Sequence, residues 1–224
     1  MSDGRPATVR VFDSALADWL ASFTMPGSLA GEMAEACADG AAWAAAIGGV
    51  AAWRAGWNDA ESIAWGLCVG GLAGALAAGG RSVALQGARG AAGAGGGEGA
   101  LPLLAADGLM AAAHEALGSL PPDRAREALE ALGRVFADGG PWRDLAEAGA
   151  AGGHAAWPAL VPCALAPAAE EDPSGPWAAW AEAWKKWRTA DPRELWDDPG
   201  AEREMKTLLR AAERVARRGP ESGG

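Results

Sequence analysis

The chain has 224 residues, half of them hydrophobic, and a formal net charge of −10. That length can bury one good-sized core, and the apolar content excludes a disordered chain. The charge has the wrong sign for a phosphate backbone, and no basic stripe interleaved with aromatics offsets it, which argues against nucleic-acid binding.

The N-terminus, MSDGRPATVRVFD, lacks the basic-then-apolar pattern of a signal peptide. Within it, residues 7–13 (ATVRVFD) alternate apolar and polar side chains, the one strand-like stretch in the chain. Nearly everything after it has helical spacing. A first helix is expected over 13–24, capped by Asp13 or Ser14, with Leu16, Trp19, Leu20 and Phe23 on one face. Pro26 and Gly27 end it. Further helices are expected over 28–37 and 41–55.

From Ser62 to Gly80 (SIAWGLCVGGLAGALAAGG) no residue is charged. A bilayer span needs about 20 apolar residues, so the length nearly fits. The glycine content and the lack of flanking aromatic belts favour a buried core helix over 62–78 instead. Gly66, Gly70 and Gly74 fall on one face of that helix, where they let a neighbour approach closely.

Residues 87–100, beginning GARGAAGAGGGEG, read as a flexible glycine-rich loop. No Gly-Lys-Ser/Thr follows, so it is not a P-loop, and no strand precedes it as a dinucleotide turn requires. A helix is expected over 101–117. It carries Asp107, which the positive end of a helix dipole would favour near its start. The stretch SLPPDRAREALEALGRVF opens the next helix with prolines and Asp123 in its first turn. Ala125, Ala128, Leu129, Leu132, Val135 and Phe136 form its apolar face, and Arg126–Glu130 and Glu130–Arg134 are i,i+4 pairs.

Trp177, Trp180, Trp184 and Trp187 recur at helical steps and make one stripe. Rings that bury 150–250 Å² or so each point to a core or an interface rather than an aromatic cage. A last helix is expected over 201–218, with Met205, Leu208, Leu209, Ala212 and Val215 on one face, Arg217 and Arg218 at its negative end, and Gly219 as its stop. Residues 220–224 are expected to be a disordered tail. The fold class is therefore all-α, a single helical domain over 1–219.

Chemistry is sparse. The cysteines Cys37, Cys68 and Cys163 are far apart, as free buried thiols in a reducing, cytoplasmic setting would be. There is no Gly-x-Ser-x-Gly, and neither His114 nor His154 stands in a zinc-ligand spacing. WNDAESIA (57–64) loosely resembles the Asp-x-Asp-Ser/Thr metal motif of ADP-ribosylglycohydrolases, with Glu61 in place of an aspartate and the family's N-terminal acidic motif missing.

One block, 103–145 (LLAADGLMAAAHEALGSLPPDRAREALEALGRVFADGGPWRDL), resembles the trans-isoprenyl diphosphate synthases, or polyprenyl synthetases. That family has an LAGD-x-LL helix followed, after a helical hairpin, by GGQ-x-x-DL. Here LAAD ends at Asp107, and GGPWRDL runs from Gly139 to Leu145. Upstream, Arg89-Gly90 matches the end of the family's arginine motif, but Gly79, Gly80 and Val83 stand where its first aspartates belong. Asp197 and Asp198 match two acids of its second aspartate motif, and Ala201 replaces the third. The early GGK-x-R clamp has no match.

The resemblance implies an isoprenoid-synthase-like multi-helix bundle, truncated toward the C-terminus, with Arg89 and Asp107 as substrate-binding residues and Asp197 and Asp198 as metal ligands. It also implies that catalysis is lost. Ionising an allylic diphosphate needs Mg²⁺ bridged to carboxylates, and the first set is gone. The expected function is then a non-catalytic, cytoplasmic subunit that pairs with an active prenyl synthase, or with itself, through the Trp177–Trp187 stripe. It holds no cofactor alone and would meet Mg²⁺ only in the complex. The alternatives are a helical scaffold without ligand chemistry and, more weakly, an ADP-ribosylglycohydrolase-like hydrolase. Neither nucleic acid nor membrane is expected as a partner.

Overall fold

The computed structural model describes residues 7–38, 40–92, 100–136, 160–174 and 178. All regular structure among them is helical, as expected: α1 (Ala7–Ala21), α2 (Gly27–Cys37), α3 (Ala41–Arg54), α4 (Asp59–Ala92), α5 (Ala100–Gly118), α6 (Pro122–Phe136), and the short α7 (Val161–Ala164) and α8 (Ala166–Glu171). These elements share one continuous apolar core.

Helix α4 is the axis of the bundle. Its charge-free middle buries Trp65, Cys68, Val69, Leu72, Ala75, Leu76 and Ala78. Helices α3 and α5 lie along it, α1 and α2 pack on it over shorter lengths, and α7 covers its first half. The pairings are antiparallel. Gly66 and Gly70 of α4 meet Ala45 and Ala41 of α3, while Gly71 and Gly74 meet Ala113 and Leu109 of α5. The stretch Asp59–Val83 is long and apolar enough to cross a bilayer, but 78% of its most apolar window is buried inside the bundle. Its lack of charge is thus matched by protein neighbours.

The glycine face of α4 explains how closely those neighbours come. A Cβ on Gly66 would lie 2.7 Å from the Ala45 carbonyl oxygen and 2.5 Å from Phe12 Cε1. On Gly70 it would lie 2.9 Å from Ala45 Cβ and 3.1 Å from the Ala41 carbonyl oxygen, and on Gly74 2.6 Å from Cys37 Sγ. Each buried methylene contributes only about 0.8 kcal/mol. A core of alanines therefore depends on many close contacts, with Trp65, Met33, Leu72 and Leu109 as its larger members.

Three expectations change. The alternating stretch 7–13 is the first part of α1 and not a strand, so Asp13 and Ser14 sit inside the helix rather than at its start. Phe12 and Leu16, one turn apart, are both buried, and this helical period prevails over the short alternation. Next, α4 continues through 87–92, taking part of the expected glycine-rich loop into helix. Lastly, α6 buries Ala128, Ala131 and Leu132, and leaves Leu129 half exposed. On its wet side Arg124 pairs with Glu127 at 2.9 Å and Arg126 reaches back to Asp123 at 3.6 Å, where an Arg126–Glu130 pair was expected.

Candidate functional site

Among the described residues, the polar groups near the core gather mainly in two places, apart from the buried Ser82, whose hydroxyl accepts from Gln86 one turn on. The first is the corner between α3 and α4. Gly56, with φ of 81°, takes the left-handed conformation that ends α3. The Trp57 N–H donates to the Ala52 carbonyl and the Gly56 N–H to the Trp53 carbonyl, a Schellman arrangement. One residue later α4 begins. The Asn58 N–H donates to Glu61 Oε2 at 3.1 Å, and the Glu61 N–H donates to Asn58 Oδ1 at 3.0 Å. This is a reciprocal capping box. The carboxylate that gave WNDAESIA its metal-motif look is thus engaged with backbone.

The same corner gathers aromatic rings. Trp57 and Trp65 are both buried, with ring centroids 6.2 Å apart. Trp65 Nε1 donates to the Ala164 carbonyl of α7 at 3.3 Å, which ties α7 to α4. Arg124 of α6 lays its guanidinium 5.1 Å from the Trp57 ring centroid, a cation–π contact. The Ser62 hydroxyl, also buried, donates to the Trp57 carbonyl at 3.5 Å.

The second place is the seam between α2 and α4. Arg81 donates from Nε (3.1 Å) and Nη2 (2.6 Å) to Glu32 Oε1, and from Nη2 to the Glu32 carbonyl at 3.3 Å. Both side chains are largely buried, at 20% and 16% exposure, so the pair is a firm link between the two helices. Cys37 lies on the same seam. Burial pushes its thiol up to about 12, against the pull of Arg81 and with a smaller push from Asp13. Burial also holds the Cys68 thiol well above the usual range, and Cys163 nearby adds to that. At neutral pH both are protonated and weak as nucleophiles.

The residues singled out from sequence are not gathered here. Asp107 is exposed near the middle of α5, seven residues past its start, so it does not stand at the helix start where the dipole would favour it. Arg89 lies on the backbone of α4, and its side chain is outside the described residues. With Leu109 level with Gly74, Asp107 and Arg89 are separated by roughly 20 Å along the hairpin axis at 1.5 Å per residue. His114 is exposed and bonds the Met110 carbonyl at 2.8 Å. Trp177, Trp180, Trp184, Trp187, Asp197, Asp198, the GGPWRDL segment and the helix expected over 201–218 lie outside the described residues. Among the described residues no group of three or more His, Cys, Asp or Glu side chains is placed to hold a metal ion.

The Arg81–Glu32 pair is the polar feature that the residue pattern did not single out. Its signal was present, since Arg81 is the sole charge between Ser62 and Ala88. A lone charge on a buried helix requires a partner. In comparisons with known proteins, no family model, no curated protein and no solved structure matches the chain.

Proposed function

We propose that this chain is a non-catalytic helical subunit that acts by binding a partner protein in the cytoplasm. One observation carries the reading: among the described residues, the acids and thiols at the core and at the helix junctions are already engaged in holding the fold. Glu61 caps α4, Glu32 is held by Arg81, and the Cys37 and Cys68 thiols are buried and protonated. The resemblance of residues 103–145 to polyprenyl synthetases makes an active prenyl synthase the first partner to try, with the Trp177–Trp187 stripe as the contact. Mg²⁺ would then belong to the partner's reaction.

The test is to mix the purified chain with isoprenyl diphosphate synthases, and to follow co-elution, diphosphate release and product length. The proposal expects no diphosphate release by the chain alone with Mg²⁺, and a shifted rate or product length in a co-eluting mixture. Diphosphate release by the chain alone would overturn the non-catalytic reading. Failure to co-elute with any synthase would remove the prenyl-synthase partner.

A further inference from the structure

Helix α5 keeps one side dry and one side wet, and the wet side is complementary to itself. Its exposed residues fall within about 120° of the helix circumference, opposite the buried ones. Leu104, Asp107, Ala111, His114 and Gly118 follow one another on that face at steps of three and four, so they form one continuous ridge. Leu103 and Glu115, also exposed, flank it. Asp107 precedes Ala111 by four residues and His114 follows it by three, so acid and base stand almost symmetrically about the alanine. His114 Nδ1 donates to the Met110 carbonyl at 2.8 Å, since that oxygen only accepts, and Nε2 is left to meet a carboxylate. Neither Nε2 nor Asp107 has a partner among the described residues.

We infer that this face of α5 docks a second copy of the chain, the two helices antiparallel and joined by two Asp107–His114 ion pairs around Ala111. A helix turned end for end against α5 sets each Asp107 level with the second copy's His114. In that register the two Ala111 residues meet within about 1.5 Å along the axis, and each Leu104 lies over the second copy's Gly118. Two arguments select a second copy. The charge pattern matches its own reversed image, and the small Ala111 and Gly118 let the two backbones approach. In addition, α5 carries only Asp107 and Glu115 as acids in 19 residues, so two chains of net charge −10 meet there with little local repulsion. One helix face of about 28 Å covers less than the roughly 800 Å² per side of a standard interface. The dimer is therefore weak, with a dissociation constant on the order of 100 μM. The pair needs a proton on Nε2, so the contact tightens as pH falls through the range where histidine titrates. Asp107, His114 and Glu115 of each copy are the titratable groups on the docking face. The contact is separate from the Trp177–Trp187 stripe and does not rest on the partner-subunit reading.

The experiment is sedimentation equilibrium of the full-length protein from about 10 μM to about 1 mM, at pH near 6 and near 8. The parent is expected to pass from monomer to dimer over this range, more readily at the lower pH. Asp107→Lys and His114→Asp, each with the parent's helical spectrum, set like charges across the contact. Each should raise the dissociation constant about tenfold or more. The double variant Asp107→Lys/His114→Asp re-forms both pairs with a cation that keeps its charge, so it should dimerise again and lose the pH dependence. Ala111→Cys should crosslink to a second copy on air oxidation, because Cys37, Cys68 and Cys163 are buried, while Leu129→Cys on α6 should not. The proposal is overturned if the parent is monomeric at every concentration, if either single variant dimerises like the parent, or if the double variant fails to recover. Dimerisation that Trp180→Ala abolishes and the α5 variants leave intact would assign self-association to the tryptophan stripe and also overturn it.

Discussion

Gly66 and Gly79 lie on the same helix and should answer the same substitution in opposite ways. At Gly66 a methyl meets the Ala45 carbonyl oxygen, which is backbone and cannot swing aside. Gly66→Ala should therefore cost about 1–3 kcal/mol. At Gly79 nothing lies within 4 Å, and Gly79→Ala should stabilise by about 0.5–1 kcal/mol through helix propensity. Urea unfolding of the two variants decides this, and equal effects would contradict the close approach of α3 to α4. The thiols give a pH prediction. The Cys37 and Cys68 pKa values are raised on folding by burial, so the folded state holds protons that the unfolded state releases. The associated stability is fully present below the unfolded thiol pKa near 9 and is lost as pH rises toward 12. Each thiol contributes a slope of about 1.4 kcal/mol per pH unit in that window. Stability measured from pH 8 to 11 should fall, and Cys68→Ala should reduce the fall. Asp107 shows the limit of the residue pattern. Its place on a helix was legible, but its exposure depends on how α5 rolls against α4. Asp107→Ala should change stability by no more than about 0.5 kcal/mol, and a larger loss on thermal melting would contradict its exposed position.

Helix boundaries were legible where local chemistry marks them. Gly27–Cys37, Ala41–Arg54 and Ala100–Gly118 lie within a residue or so of the spans 28–37, 41–55 and 101–117 read from the Pro26–Gly27 break and from apolar periodicity. The errors fall where local signals mislead. Seven residues are too few to separate period 2 from period 3.6, hence the misread start of α1. Glycine weakens a helix by only about 1 kcal/mol relative to alanine, and α4 runs on through Gly87 and Gly90 despite it. The start of α4 carries the capping box Asn58-x-x-Glu61, which the sequence reading passed over because the same Glu61 also falls in Asp59-x-Glu61-Ser62 and gave it the look of a metal motif. The two uses separate by mutation. Asn58→Ala should destabilise by about 1 kcal/mol, while Glu61→Gln, which keeps an acceptor for the Asn58 N–H, should cost only a few tenths of a kcal/mol. Chemical denaturation measures both. A Glu61→Gln variant as unstable as Asn58→Ala would show that the negative charge matters beyond the cap.

For the whole molecule, the all-α class followed from composition and periodicity, while the polar seams followed from neither. The Arg81–Glu32 link spans 49 positions of sequence, and the Trp65–Ala164 hydrogen bond spans 99. Periodicity within one helix cannot show which side chains meet across such distances. What the bundle does require is an axis helix whose middle is free of charge and lined by glycines. If α4 is that axis, amide hydrogen exchange in detergent-free buffer should find the backbone of 62–78 the slowest in the chain, opening only with global unfolding. Rapid exchange across 62–78, or a need for detergent to bring the protein into solution, would contradict the account.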